Sequence, residues 1–381
     1  MNRPSKWARM DWPLLVNALA LSAIGLLNVY SGTRVHGVPG TALVTKQFVW
    51  ILLGVGAFFA VFLLSDGFIE ETANGFFLAV LLLLVVVLLA GRVRGGAQRW
   101  IAMGAFNFQP SEFAKIAVTL ALARYFSGTY RYGGIGLREV LPAIGMVLAP
   151  FLLVALQPDL GSAGVFLFIL AGMAVVACVR WKVLAFFAAS AAAAVPVLWF
   201  FMKEYQRQRV LTFMNPELDP LGAGYHVIQS KIAVGSGGII GKGYLHGTQG
   251  SLRFLPEQHT DFAFAVFSEE WGFLGSLLLL VLFLLLVYRL FFLTARSQDR
   301  FASFACGGIG VFFLTHIVIN LAMVCGLFPV VGIPLPFVRT SPPRNRSTAS
   351  PPSLRRREAA TRAPGSRGTP RGTRRGARSG W

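Results

Sequence analysis

Leu255-Pro256-Glu257-Gln258-His259-Thr260-Asp261-Phe262 closes a long polar loop and opens a run of twenty-seven mostly apolar residues, Phe262 to Tyr288. An α-helix needs about 20 apolar residues, at 1.5 Å each, to cross a bilayer. The same alternation of long apolar and short polar runs recurs along the 381 residues, of which 55% are hydrophobic and 13% charged. Soluble domains average about 25% charged residues. The fold class that follows is all-α: a polytopic integral membrane protein. Its nine predicted transmembrane helices lie at about 12–30, 47–65, 74–90, 111–126, 140–156, 160–179, 183–202, 262–289 and 303–326, with a large extracellular loop at 203–261.

The net charge of +19 invites a nucleic-acid reading, but its distribution argues against one. Residues 339–381 hold twelve Arg and one Glu, whereas the remainder carries a net charge of only +8. The chain divides accordingly into a membrane domain, 1–338, and an Arg/Pro/Ser/Gly-rich tail, 339–381, with the composition of a disordered segment. The apolar run after Trp12 is longer than a signal-peptide core of ~7–15 residues, so it reads as an uncleaved first helix. Cys178, Cys306 and Cys325 lie in apolar runs without metal-ligand spacing and read as buried small hydrophobes.

Lys and Arg in short loops set orientation. With the N-terminus in the cytoplasm, the cytoplasmic segments hold eleven of them and the short outer loops five. This orientation puts the 203–261 loop outside. Three of the five outer positives, Arg92, Arg94 and Arg99, crowd together against the rule, which makes them candidates for binding an anion.

Asp261 stands at the outer end of a membrane helix beside Phe262 and Phe264. It reads equally as a general base, tuned by apolar surroundings, or as a helix N-cap. Glu257, Gln258 and His259 supply donors, acceptors and a metal ligand, or are solvated loop residues. Glu112 and Lys115, spaced i, i+3 after a helix start at Pro110, share one face and read as a cavity lining or a mutual ion pair. Arg99 suits phosphate, and Trp100 suits an interfacial anchor or a sugar-stacking surface. Asp159 caps the next helix or joins the outer cavity. Glu269 and Glu270 suggest a polar seam inside the bundle. Tyr225 to Val234 reads as a short amphipathic helix. Gly235 to Gly243 reads as flexible turns or as backbone that closely approaches a ligand.

The motifs Gly95-Gly96-Ala97-Gln98-Arg99-Trp100, Gln109-Pro110-Ser111-Glu112-Phe113-Ala114-Lys115, Gln157-Pro158-Asp159-Leu160-Gly161, Tyr205-Gln206-Arg207-Gln208-Arg209, Gly241-Lys242-Gly243, Pro256-Glu257-Gln258-His259-Thr260-Asp261-Phe262 and Gly332-Ile333-Pro334-Leu335-Pro336-Phe337-Val338 stand in one order. In that order the chain resembles the SEDS family (shape, elongation, division, sporulation), and Gln258 resembles its RodA-type elongation branch. The resemblance implies a peptidoglycan glycosyltransferase that polymerises lipid II in the bacterial inner membrane. It implies a class B penicillin-binding protein, a transpeptidase, as partner. Asp261 falls on the family's essential aspartate, and Glu112 and Lys115 fall on its polar pair.

A single carboxylate suffices for this chemistry. Asp261 deprotonates the acceptor hydroxyl, and a lipid diphosphate leaves without a general acid if cations or a divalent metal (Mg or Mn) offset its charge. Arg99, Lys115, Arg207 and Lys242 are the cationic candidates for substrate binding. Two other classes compete: a lipid II flippase, and a non-catalytic scaffold of the elongation machinery. The pattern breaks at Arg339-Thr340-Ser341-Pro342-Pro343, where family members continue into a tenth helix. An out-of-frame read of a GC-rich gene would give this composition.

Overall fold

The computed structural model describes residues 7, 10–34, 40–90, 92–94, 97–103, 106–130, 133–202, 204–218, 223–247 and 261–338. The tail therefore lies outside the described residues. Eleven α-helices are described: α1 (Trp12–Arg34), α2 (Gly40–Leu63), α3 (Asp66–Ala90), α4 (Pro110–Thr129), α5 (Leu137–Leu156), α6 (Leu160–Val176), α7 (Trp181–Phe201), α8 (Glu204–Met214), α9 (Ala223–Ser236), α10 (Ala263–Arg296) and α11 (Arg300–Val324). Each of the nine expected spans coincides with a helix. α9 covers the amphipathic stretch expected at Tyr225 to Val234, whereas α8 had no forerunner in the hydropathy.

Six of these helices are long and apolar enough to cross a membrane: α1, α2, α3, α5, α10 and α11. α6 and α7 are shorter apolar helices. α4, with Glu112, Lys115 and Arg124, does not qualify on hydropathy. It is nevertheless packed against α3, α5, α6 and α11. Ala117, Ala121, Leu122 and Ala123 are wholly buried in it. Its exposed face shows Phe113 and Ile116, and its neighbours cover Lys115.

One loop departs from expectation. Residues 92–108 form a small antiparallel sheet of β1 (Arg92–Arg94), β2 (Ala97–Met103) and β3 (Phe106–Phe108), which pairs Arg92 with Trp100 and Ile101 with Phe108. Backbone pairing within the hairpin satisfies donors and acceptors that a plain loop would leave to water.

Two apolar clusters make up the core. One joins α3, α4, α5 and α6; the other joins α1, α9 and α10. α11 contributes to both, through Phe304 and Ile319 on one side and Ile317 and Val324 on the other. Small residues allow this central position. A side chain at Gly172 would collide with Val311, and one at Gly308 with Thr119 and Met173. Close backbone approach of this kind is how membrane helices gain packing energy in the absence of a hydrophobic drive between them.

α10 breaks at Gly272, whose φ is 65° and ψ is −161°. The break frees backbone groups, and the glycine-dense segment after α9 satisfies them. Lys242 and Gly243 donate their amides to the carbonyls of Glu269 and Glu270, both at 3.0 Å, and the amides of Phe273 and Leu274 donate to Gly238 and Ile239. Unsatisfied groups there would cost several kcal/mol each in a membrane setting. The glycines are required by contact: a Cβ at Gly237 would strike the Ser268 carbonyl, and one at Gly241 the Glu270 carbonyl. The expected close approach of this segment is therefore real, but its object is α10 and not a ligand.

The cysteines correct the expectation of burial. Cys178 and Cys325 are exposed, Cys306 is partly so, and all three are free. Cys178 sits at the turn between α6 and α7 with φ of 53°, and Cys325 caps α11. Apolar neighbours in sequence do not imply burial at a helix end.

Candidate active site

Pro110 occupies the first turn of α4, where its missing amide costs nothing. Glu112 and Lys115 follow on one face. Lys115 is among the largest fully buried side chains of the described residues. Its Nζ donates to Glu112 Oε1 at 2.9 Å, the ion pair that the spacing suggested. It also lies 3.1 Å from Nε2 of His316 on α11. A buried ammonium is tolerated only with such partners, because an unpaired one would cost several kcal/mol.

Asp261 immediately precedes α10. The N-cap of that helix is Phe262, with no side-chain cap hydrogen bond. The N-cap position therefore falls one residue after Asp261. Its peptide is held: Asn320 Nδ2 on α11 donates to the Asp261 carbonyl at 2.9 Å and to the Ile333 carbonyl at 2.8 Å. Gly332, with φ of 73°, passes beside it, and a Cβ there would sit 3.3 Å from Asp261 Oδ2. The extended strap 329–335 thus runs against the carboxylate.

Asp159 caps α6, where its Oδ1 accepts from the Ser162 amide at 3.2 Å. Two residues on, Gly161 leaves no room for a side chain against the Val331 carbonyl. The strap therefore touches both the Asp159 turn and Asp261. Glu112, Lys115, Asp159 and Asp261 come together at one end of the bundle, with α11 and the strap between them.

The remaining candidates divide. Arg207 donates to the carbonyls of Trp199 at 3.2 Å and Phe200 at 3.0 Å, so it closes the end of α7. Lys242 pairs with Glu269 at 2.7 Å beside the α10 break. Glu270 accepts from Ser31 of α1. The acids expected to form a polar seam thus join α1, α10 and the glycine segment. Arg99 and Trp100 lie on β2, against α3 and α4, but their side chains are outside the described residues. Glu257, Gln258 and His259 are outside them as well.

Two residues that the sequence reading passed over are central. His316 and Asn320 are one helical turn apart on α11, and both are buried. The signal was available: polar side chains spaced i, i+4 inside a run from 303 to 326 that could have been all apolar.

A family model of cell cycle proteins, FtsW/RodA/SpoVE, matches residues 12–340. The peptidoglycan glycosyltransferase MrdB of Escherichia coli strain K12 is 39% identical over 88% of this chain and 90% of its own length. The peptidoglycan glycosyltransferase RodA of Treponema pallidum is 34% identical over 85% of this chain and 92% of its own. Among solved structures, a chain of a peptidoglycan synthase complex that coordinates polymerization and crosslinking is 36% identical and superposes with a TM-score of 0.73 over 86% of this chain and 91% of that one. The rod shape determining protein RodA of Thermus thermophilus is 28% identical, with a TM-score of 0.65 over 88% of this chain and 92% of that one.

Proposed function

The chain belongs to the FtsW/RodA/SpoVE family of cell cycle proteins, and from that premise we propose that it is a peptidoglycan glycosyltransferase of cell elongation, polymerising lipid II with Asp261 as its general base. The observation that carries this reading is the placement of Asp261, its peptide held by Asn320 and its carboxylate beside the Gly332 strap, at the same end of the bundle as the buried Lys115 cation. The class of relatives supplies the substrate, and the site supplies the means.

The step balances with these parts. Asp261 takes the proton of the acceptor sugar hydroxyl. The freed oxygen attacks the anomeric carbon of the donor, forming the glycosidic bond. The bond from that carbon to the lipid diphosphate breaks, and the diphosphate leaves with the electron pair. No protonation of the leaving group is needed, in contrast to glycoside hydrolysis. Lys115 and Arg99 offset the developing charge. A divalent cation, Mg or Mn, is proposed as a further counter-ion carried with the diphosphate. The described residues gather no group of three or more His, Cys, Asp or Glu side chains that would hold one by themselves.

Proposed with this reading are a bacterial inner-membrane location, a cytoplasmic N-terminus and a class B penicillin-binding protein as partner. The chain similar to this one in the synthase complex supports the partner. Purified chain incubated with labelled lipid II, alone and with such a transpeptidase, is expected to yield glycan polymer. Transfer of lipid II across a vesicle membrane without polymer would replace this reading with a flippase.

A further inference from the structure

We infer that His316 is a positioning residue for Lys115, and that it holds the ammonium as the Nδ1–H tautomer. The inference rests on the glycosyltransferase reading for its consequence, but not for its geometry. Lys115 Nζ donates only, so the Nε2 of His316 that faces it at 3.1 Å must accept. The Phe312 carbonyl accepts only, so the Nδ1 that faces it at 2.9 Å must donate. Together these contacts leave one arrangement: a hydrogen on Nδ1 and a lone pair on Nε2.

The ring has little freedom to leave it. The Phe312 ring packs on the imidazole with centroids 4.3 Å apart, and His316 is 2% exposed. Lys115 is wholly buried, so bulk water does not compete for its donors. An ammonium has three N–H donors. Among the described residues, Glu112 and His316 take two of them. The third is free to meet an anionic oxygen. A neutral acceptor at His316 fixes the direction of that third donor without cancelling the charge, which a second carboxylate would do.

His316 also sets distance. Asn320 lies one turn further along α11 and holds the Asp261 peptide. The same rigid helix therefore places the cation, through His316, and the base, through Asn320. A shift of α11 would move the two together and preserve their separation. Sites built on one rigid element hold geometry better than sites assembled from loops.

The test uses His316→Gln, which offers an acceptor at similar reach, and His316→Phe, which keeps the volume and removes the acceptor. In lipid II polymerisation by the full chain with its transpeptidase, His316→Phe is expected to lower kcat about tenfold or more with little change in KM. His316→Gln is expected to recover most of the rate. Equal impairment of both variants, or a fully active Phe variant, overturns the inference. The second readout needs no turnover. The 15N spectrum of histidine-labelled chain, with His316 assigned by its loss in the Gln variant, is expected to show a pyrrole-type Nδ1 and a pyridine-type Nε2. The opposite tautomer or a doubly protonated ring overturns the inference even if polymer is made. Absence of polymer from the unsubstituted chain would instead sink the glycosyltransferase reading and leave the spectrum to decide His316.

Discussion

α2 and α4 are both membrane-length helices, and they are opposites. From Phe48 onward α2 is apolar on every side, and it packs on α1, with Phe48, Leu52, Leu53 and Leu63 each about half exposed or more, facing what would be lipid. α4 carries three charges among alanines, and neighbours on several sides bury Lys115 completely. Hydropathy records what a helix shows to the bilayer. It is weak at α4, whose charged faces meet other helices. The difference teaches that in this protein a poor membrane signal marks a helix that is packed among other helices.

That contrast can be broken by substitution, and the effects should fall in order. Glu112→Gln leaves the Lys115 ammonium buried with only a neutral partner. We expect a loss of roughly 2–4 kcal/mol in stability and a severe loss of polymerisation, read by thermal denaturation in detergent and by lipid II turnover. Gly272→Ala forces a side chain into a positive φ and against the Gly241 nitrogen at the α10 break. About 2 kcal/mol or more should be lost, with the segment 237–243 becoming more accessible to proteolysis or hydrogen exchange. Asn320→Leu removes two hydrogen bonds to carbonyls at the strap and Asp261. It should lower turnover more than stability, with about 1–3 kcal/mol lost from the unsatisfied carbonyls. Leu53→Ala on α2 should cost less than about 0.5 kcal/mol and leave turnover unchanged, since the lipid-facing side chain fills no cavity. A large cost there would mean that α2 is packed by something else, and the contrast would fail.

Much of the fold was legible because span length is a one-dimensional property: nine apolar runs became nine helices. The Glu112–Lys115 pair was legible for the same kind of reason, since i, i+3 spacing on a helix fixes contact. Less legible was contact beyond a single helix. Arg207 looked like a ligand-binding cation, yet it reaches back to the carbonyls that end α7, across a turn the sequence does not announce. The glycines of 235–243 showed that something approaches closely, but not that the partner is a broken helix about thirty residues on. His316 and Asn320 were hidden in the apolar run of α11, although their i, i+4 spacing marked one face. Asp261 showed two meanings, and the N-cap position at Phe262 weighs against one of them.

The account stands on the carboxylate of Asp261, and one comparison tests it most directly. Asp261→Asn keeps the shape and its contacts with the strap while removing the base. Lipid II polymerisation by that variant, measured beside the unsubstituted chain with transpeptidase binding and melting behaviour matched, should fall by at least about a hundredfold. Polymer formed at the unsubstituted rate would contradict the account.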